Sequence, residues 1–382
     1  MQSIKGVIKN YAWGGRTYLA ELLGLENSTE NPMAEYWLGT HPGGMAHLTE
    51  TEVDLATHLK KDLPFLFKIL DVRDMLSIQM HPSLEKAKAG FAREEAEGLY
   101  PRDHRERVFR DANHKPELMV ALSDFYLVQG FKSNPEIEKS LAEHPEFSPL
   151  LDIFQREGLK GLFTQWMSAD QDFVNQILKP LGKKVKPLYE SGSLNKDDIN
   201  FWSARAYFTF NRKGICDRGI FVLYLMNLVQ LKPGQAVFQS PGQLHAYLEG
   251  QNAECMATSD NVVRGGLTQK AIRIDALLAM VKLEHTEPTI YQPNVDRMGF
   301  SYYSSPKAFD DFVLSVFQGH QTSLAPDTDQ ILFCAAGCFQ LNSGSKQSII
   351  AAGGAVLIAK NDRVAIMQHS KNGILFIAQS GK

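Results

Sequence analysis

"LSIQMHPS", residues 76–83, alternates as an extended chain does: Leu76, Ile78 and Met80 fall on one side and Ser77, Gln79 and His81 on the other. The preceding run "PFLFKIL", 64–70, is apolar enough for a strand buried on both faces, and polar groups buried in such a sheet need partners. The Ser77–Gln79–His81 face is therefore either wetted or ligand-bearing. Pro82 stops the strand and reads as a first-turn proline of a helix over "PSLEKAKAGFAREEAEG", 82–98.

Working outward, "PELMVAL" (116–122) and "FYLVQGF" (125–131) are further short strands between turn residues. From about 133 the pattern becomes helical. Ser133 with Glu136, and Ser168 with Gln171, have capping-box spacing, and Leu159, Leu162, Phe163 and Trp166 recur on one helix face. Residues 133–212 read as a helical insertion. "GIFVLYLMNLVQL", 219–231, reads as a buried strand. Beyond a polar linker at 284–294, "QILFCAAGCFQL", "SIIAAGGAVLIA", "RVAIMQ" and "GILFIAQ" form a run of short strands suited to a sandwich or jelly roll. The segments 231–245 and 349–369 share a strand, glycine-turn, strand pattern, which fits two related β-domains.

A chain of 382 residues is long enough for two or three domains. With 40 Lys+Arg against 43 Asp+Glu it carries no basic field, which argues against nucleic acid and anionic membranes as partners. The start "MQSIKGVIKNYAWGG" has no apolar signal region. The 219–231 run is too short for a bilayer and contains Asn227 and Gln230. The 4 cysteines suit a reducing cytoplasm, and the pair in "CAAGC" reads as buried strand thiols rather than a zinc site.

Two further segments carry chemistry. In "DANHKPELMVAL", 111–122, Pro116 extends Lys115 and brings Glu117 into its strand beside a fixed bend; the segment is equally readable as a solvated loop with an edge glutamate. In "LKPGQAVFQSPGQLHAYLEG", 231–250, the second Pro-Gly turn delivers His245 and Tyr247 to one face, where a lone histidine also serves as an ordinary core residue. Together Gln79, His81, Glu117 and His245 offer two imidazoles, a carboxylate and an amide oxygen. Two His and one Glu form a catalytic zinc set, and spacing alone does not say that the four converge.

These segments, with "NYAWGG" (10–15), "AEYWLGTHPGG" (34–44) and "ECMATSDNVVRGGLTQK" (254–270), resemble in content and order the type I phosphomannose isomerases of the cupin superfamily. The resemblance implies a mainly β fold: two cupin-type β-sandwich or jelly-roll domains plus an α-helical domain. The catalytic cupin would span 1–132 and 213–283, the helical insertion 133–212 and a C-terminal cupin-like domain 284–382. It implies one zinc ion per chain on Gln79, His81, Glu117 and His245, and Arg264 as a catalytic residue. Trp13, Ser77, Lys115, Tyr247, Glu254, Asp260 and Lys270 would contact substrate. The implied enzyme is a cytoplasmic, monomeric isomerase of mannose metabolism and GDP-mannose supply, interconverting mannose 6-phosphate and fructose 6-phosphate through a cis-enediol. Gln269 departs from the family pattern, in which a proline commonly precedes the lysine at 270. A cupin iron oxygenase would share the two His and one carboxylate; Gln79 and the basic residues after Asp260 count against it. A non-catalytic sugar-phosphate sensor would be expected to have lost a ligand, and all four stand in place.

Overall fold

The computed structural model describes residues 1–98, 100–102, 104, 106–304, 306 and 309–381. The chain is mainly β with a helical segment, as expected from the sequence. One ten-stranded sheet runs Ala236–Gln239, Glu117–Ala121, His245–Ala257, Phe65–Val72, Glu35–Gly39, Val7–Lys9, with Ile78–Met80, Val263–Gly266, Phe125–Phe131 and Met226–Leu231 branching from the long strand His245–Ala257. The tail forms a sandwich. Its seven-stranded sheet includes Phe312–Phe317, Gln330–Ala336, Ala355–Ile358 and Ile374–Ser380, and its four-stranded sheet includes Cys338–Ser343 and Val364–Gln368. Leu332, Phe339, Ile350 and Ile377 fill the space between them. The N-terminal strand Gln2–Lys5 pairs with the tail strand Ala355–Ile358, so the chain's two ends share a sheet.

Strand Phe65–Val72 is buried along its whole length, and its two faces do different work. Phe65, Phe67 and Ile69 pack on the tail sheet, where Phe67 stands 5.9 Å from Phe333 and 5.8 Å from Phe376. Lys68 points the other way, opposite Trp37 on one neighbouring strand and Glu254 on the other. The alternation makes one sheet both a packing wall and a polar floor.

Four long helices, Asn134–Ala142, Ser148–Ser168, Gln171–Glu190 and Ile199–Phe210, form the helical segment. Ser133 and Glu136 make the expected capping box. The other expected cap is corrected: Ser168 closes the preceding helix, and Asp170 begins the next by accepting from Phe173 N at 2.8 Å. An aspartate both caps and complements the helix dipole, so it displaces a serine two residues earlier.

Three local readings differ from expectation. Gly219–Leu225 is a helix, and only Met226–Leu231 is strand. Every residue of that helix is buried, and a run that is apolar all round carries no period to separate helix from strand. The helix after the His81 strand spans Leu84–Glu97 with Ser83 as its cap, accepting from Lys86 N at 3.3 Å, so Pro82 lies just outside it. Leu76 does not share the face of Ile78 and Met80. It precedes the strand Ile78–Met80, donates its N–H to Tyr247 O at 2.9 Å and packs in the cluster that holds Val72 and Tyr247.

Candidate active site

Register brings the site together. Arg264 pairs with Gln79 across one strand boundary and Gln79 with His245 across the next, so the three form a row over adjacent strands. His81 follows two residues after Gln79 on the same face. Its carbonyl accepts from Gly242 N at 2.8 Å, which seats the Pro241–Gly242 turn ahead of His245. Gly242 adopts φ +79°, a conformation that favours glycine. Glu117 enters from Glu117–Ala121, on the same side as Met119 and opposite Leu118 and Val120, which pack on the tail sheet.

His81 and His245 are each 1% exposed and Glu117 is 2% exposed. One carboxylate oxygen stands 3.3 Å from His81 Nε2 and the other 3.3 Å from His245 Nε2. Each Nδ1 meets a backbone carbonyl, Asn261 O at 2.7 Å for His81 and Gln243 O at 3.1 Å for His245, and these bonds assign the ring proton to Nδ1. Both Nε2 atoms then present lone pairs toward carboxylate oxygens, and among the described residues neither buried atom has a hydrogen-bond partner. Burial depresses His81 to about 4 against the pull of Glu117, so its ring is neutral. Burial would raise Glu117, but the Lys115 ammonium, 2.9 Å away, holds it well below the usual carboxylate range. Electron-rich atoms that face each other out of water call for a cation between them. The donor atoms lie within 4.8 Å of one another, and a His2Glu set with ring nitrogens oriented by carbonyls suits a divalent ion such as zinc. The half-buried Gln79 adjoins the set through its pairing with His245.

Above this floor opens a cleft of about 640 Å³ whose walls include every expected substrate residue. Trp13 stacks on Tyr11 at 5.8 Å. Ser77 is half-buried beside Gln79, and Tyr247 donates to Glu254 Oε2 at 2.8 Å. Burial raises both the Tyr247 hydroxyl and the Glu254 carboxyl. Asp260 lies 3.5 Å from His41, whose hydrogen bond lowers it. Arg264 is half-buried, and Lys270 stands exposed at the rim.

The sequence reading missed Lys68, Glu35 and Asn261. Lys68 Nζ is 3.1 Å from Glu254 and 3.6 Å from Glu35, and lies 5.3 Å over the Trp37 ring. Burial alone would depress this ammonium, yet Glu35 and Glu254 outweigh it and push it up. The signal was present, since one charge inside "PFLFKIL" is conspicuous in a strand with two buried faces. Asn261 is fully buried. Its Oδ1 accepts from Arg110 N at 2.7 Å, and its Nδ2 donates to Asn113 O at 2.8 Å and Asp111 O at 2.9 Å. It thereby ties the loop before Glu117 to the carbonyl that orients His81, and nothing in its sequence context marks it.

A mainly β fold with a buried His2Glu set under a polar cleft defines the chain as a cupin-type protein with a candidate metal centre. Residues 1–134 match the family model for the catalytic domain of phosphomannose isomerase type I. Mannose-6-phosphate isomerase of Escherichia coli K12 is 34% identical, the match covering 97% of this chain and 98% of that protein. A crystal structure of mannose 6-phosphate isomerase bound with zinc and yttrium superposes with a TM-score of 0.86 at 31% identity, over 100% of this chain and 99% of that one. The apo form from Salmonella typhimurium gives 0.86 at 32% identity, with 100% and 99% covered. The chain belongs to the mannose-6-phosphate isomerase family and is an isomerase of its type I branch.

Proposed function

We propose that this isomerase depends on zinc, one ion per chain held by Gln79, His81, Glu117 and His245, and interconverts mannose 6-phosphate and fructose 6-phosphate by moving a proton between C1 and C2 through a cis-enediol. The observation that carries the metal is the pair of buried, partnerless Nε2 lone pairs facing Glu117. When bound, the ion would supply Lewis acidity toward the sugar's carbonyl and hydroxyl oxygens.

The chain's own residues supply the rest. Arg264, in the row beside Gln79, offers a guanidinium fork to the negative charge that develops on the enediol oxygens. Lys68, Glu254 and Tyr247 form a closed hydrogen-bonded chain across the floor that orients sugar hydroxyls. Trp13 and Ser77 border the sugar, Asp260 and Lys115 set the local charge, and Lys270 at the rim meets the phosphate. Among the described residues no helix is long and apolar enough to cross a membrane. The cysteines form no disulfide, which supports a cytoplasmic setting.

The test combines metal analysis with a coupled assay. The purified protein should hold about one zinc per chain and convert mannose 6-phosphate to fructose 6-phosphate. Full activity after exhaustive chelation would refute the metal assignment.

A further inference from the structure

The cleft contains cations of two kinds. Lys68 and Lys115 are matched to Glu35, Glu254 and Glu117. Arg110, Arg212, Arg264 and Lys270 line the same cleft, and among the described residues none of these makes an ion pair within 4.0 Å. Burial lowers Arg264 and Lys270, and neighbouring arginines lower both further, so like charges are crowded there without a protein carboxylate to balance them.

Arg212 differs from the others in origin, because it lies just past the helix Ile199–Phe210 at the end of the helical segment. Two devices hold it at the cleft. With its amide oxygen turned to the guanidinium, Gln269 accepts from Arg212 Nε and Nη2, both at 2.6 Å; the reverse orientation would set donor against donor. Asp217 clamps the carrier loop to the strand end. Its Oδ1 accepts from Gly219 N and Leu267 N, both at 2.7 Å, and its Oδ2 from Thr268 N at 3.0 Å. The contact is too close for a side chain, since a Cβ on Gly266, at φ +140°, would lie 2.3 Å from Gly219 Cα. Gln269 occupies the Nε–Nη2 edge of the guanidinium and leaves its Nη1 end for a ligand.

We infer that Arg212, held by Gln269 beside Lys270, is a specificity-determining residue that receives the phosphate dianion of the substrate, so that the helical segment completes the sugar-phosphate site. The inference rests on the reading of the cleft as the mannose 6-phosphate site. Arg212 and Gln269 are both exposed, and the bonds between them reduce the ordering that a dianion must impose on the guanidinium.

Steady-state kinetics of the metal-loaded enzyme test this with Arg212→Ala, Arg212→Lys, Gln269→Leu and Arg264→Ala. Arg212→Ala should raise KM for mannose 6-phosphate and Ki for inorganic phosphate each about tenfold, with a smaller fall in kcat, as for loss of one charge-assisted contact. Arg212→Lys should recover part of the loss, and Gln269→Leu should shift KM the same way by a smaller factor. Inhibition by neutral mannose should not change in Arg212→Ala. An unchanged phosphate Ki, an equal loss for mannose and phosphate, or a fall in kcat at constant KM would each overturn the role of Arg212. If Arg264→Ala loses turnover while Arg212→Ala behaves as wild type, the isomerase reading stands and only this inference fails. Calorimetry with phosphate separates the remaining case: an inactive wild-type chain whose phosphate affinity still falls in Arg212→Ala would refute the substrate reading and keep the anion site.

Discussion

Replacing Lys68 with methionine tests whether the floor of the cleft is an electrostatic unit. Lys68 is 5% exposed, Glu35 7% and Glu254 2%, and the ammonium is the cation between the two carboxylates. Methionine keeps the unbranched stem and removes the charge, which leaves both carboxylates buried without the cation that contacts them. Removing one partner from such a group costs about 3–5 kcal/mol. Burial already raises Glu254 in the wild type, and Lys68 is the cation that does most to hold it down. Without that cation its folded pKa would stand further above the unfolded value of about 4.3, so over that interval the folded state binds a proton that the unfolded chain releases. A raised carboxylate favours folding while it is protonated and stops doing so as pH rises. The variant's deficit should therefore be largest near about pH 8 and shrink toward about pH 5, by up to ~1.4 kcal/mol per pH unit for each carboxylate protonated only in the folded state. Urea denaturation of metal-loaded protein across that range reads it. The double variant Lys68→Met/Glu254→Gln should recover a large part of the loss. A deficit below about 1 kcal/mol at the alkaline end, or one independent of pH, would refute the reasoning.

His245→Ala should abolish activity and release the metal, whereas Arg264→Ala should keep the metal and lower kcat by about a hundredfold or more; normal turnover in Arg264→Ala would remove its catalytic assignment. Asn261→Ala should cost about 3 kcal/mol through the loss of its part-buried side-chain hydrogen bonds, among them those to Arg110 N, Asp111 O and Asn113 O, and weaken metal binding about ten- to a hundredfold by loosening the carbonyl on His81. Chelator competition measures the second effect, and an unchanged affinity would mean that the backbone holds His81 unaided. Zinc at about a hundred times its Kd should stabilise the chelated protein by about 2.7 kcal/mol, visible as a calorimetric rise in Tm. A flat response would dissociate the His2Glu set from metal binding.

Alternation made Gln79 and His81 legible as two groups on one face, because a strand's period is local. The same rule failed at Leu76, where the chain has not yet become strand and the side chain turns to the Trp13 side of the cleft. Convergence was not legible at all. Arg264, Gln79 and His245 meet through pairings between strands far apart in sequence, and nothing local encodes which strand lies beside which. The resemblance supplied that knowledge. Lys68 is conspicuous as a lone charge in an apolar strand, but which face it takes emerges only when Phe67 is seen against Phe333. Arg212 lay in a loop whose partners are a glutamine and backbone amides, and no charge pattern flagged it.

That arrangement gives the tail sandwich a physical part in the site although, among the described residues, none of its own lines the cleft. Tyr36, Phe67, Leu118 and Cys255 each stand one position from a residue of the floor, and they pack on the tail sheet. Their neighbours Glu35, Trp37, Lys68, Glu117 and Glu254 face the cleft. If the tail sheet were absent, water would reach the back of a sheet one residue thick, and the ion pairs on its front would lose much of their low-dielectric surroundings. The raised Glu254 and Tyr247 and the neutral His81 owe their states first to burial. Burial here comes from both sides: the cleft walls in front, and the Phe333 and Phe376 layer behind.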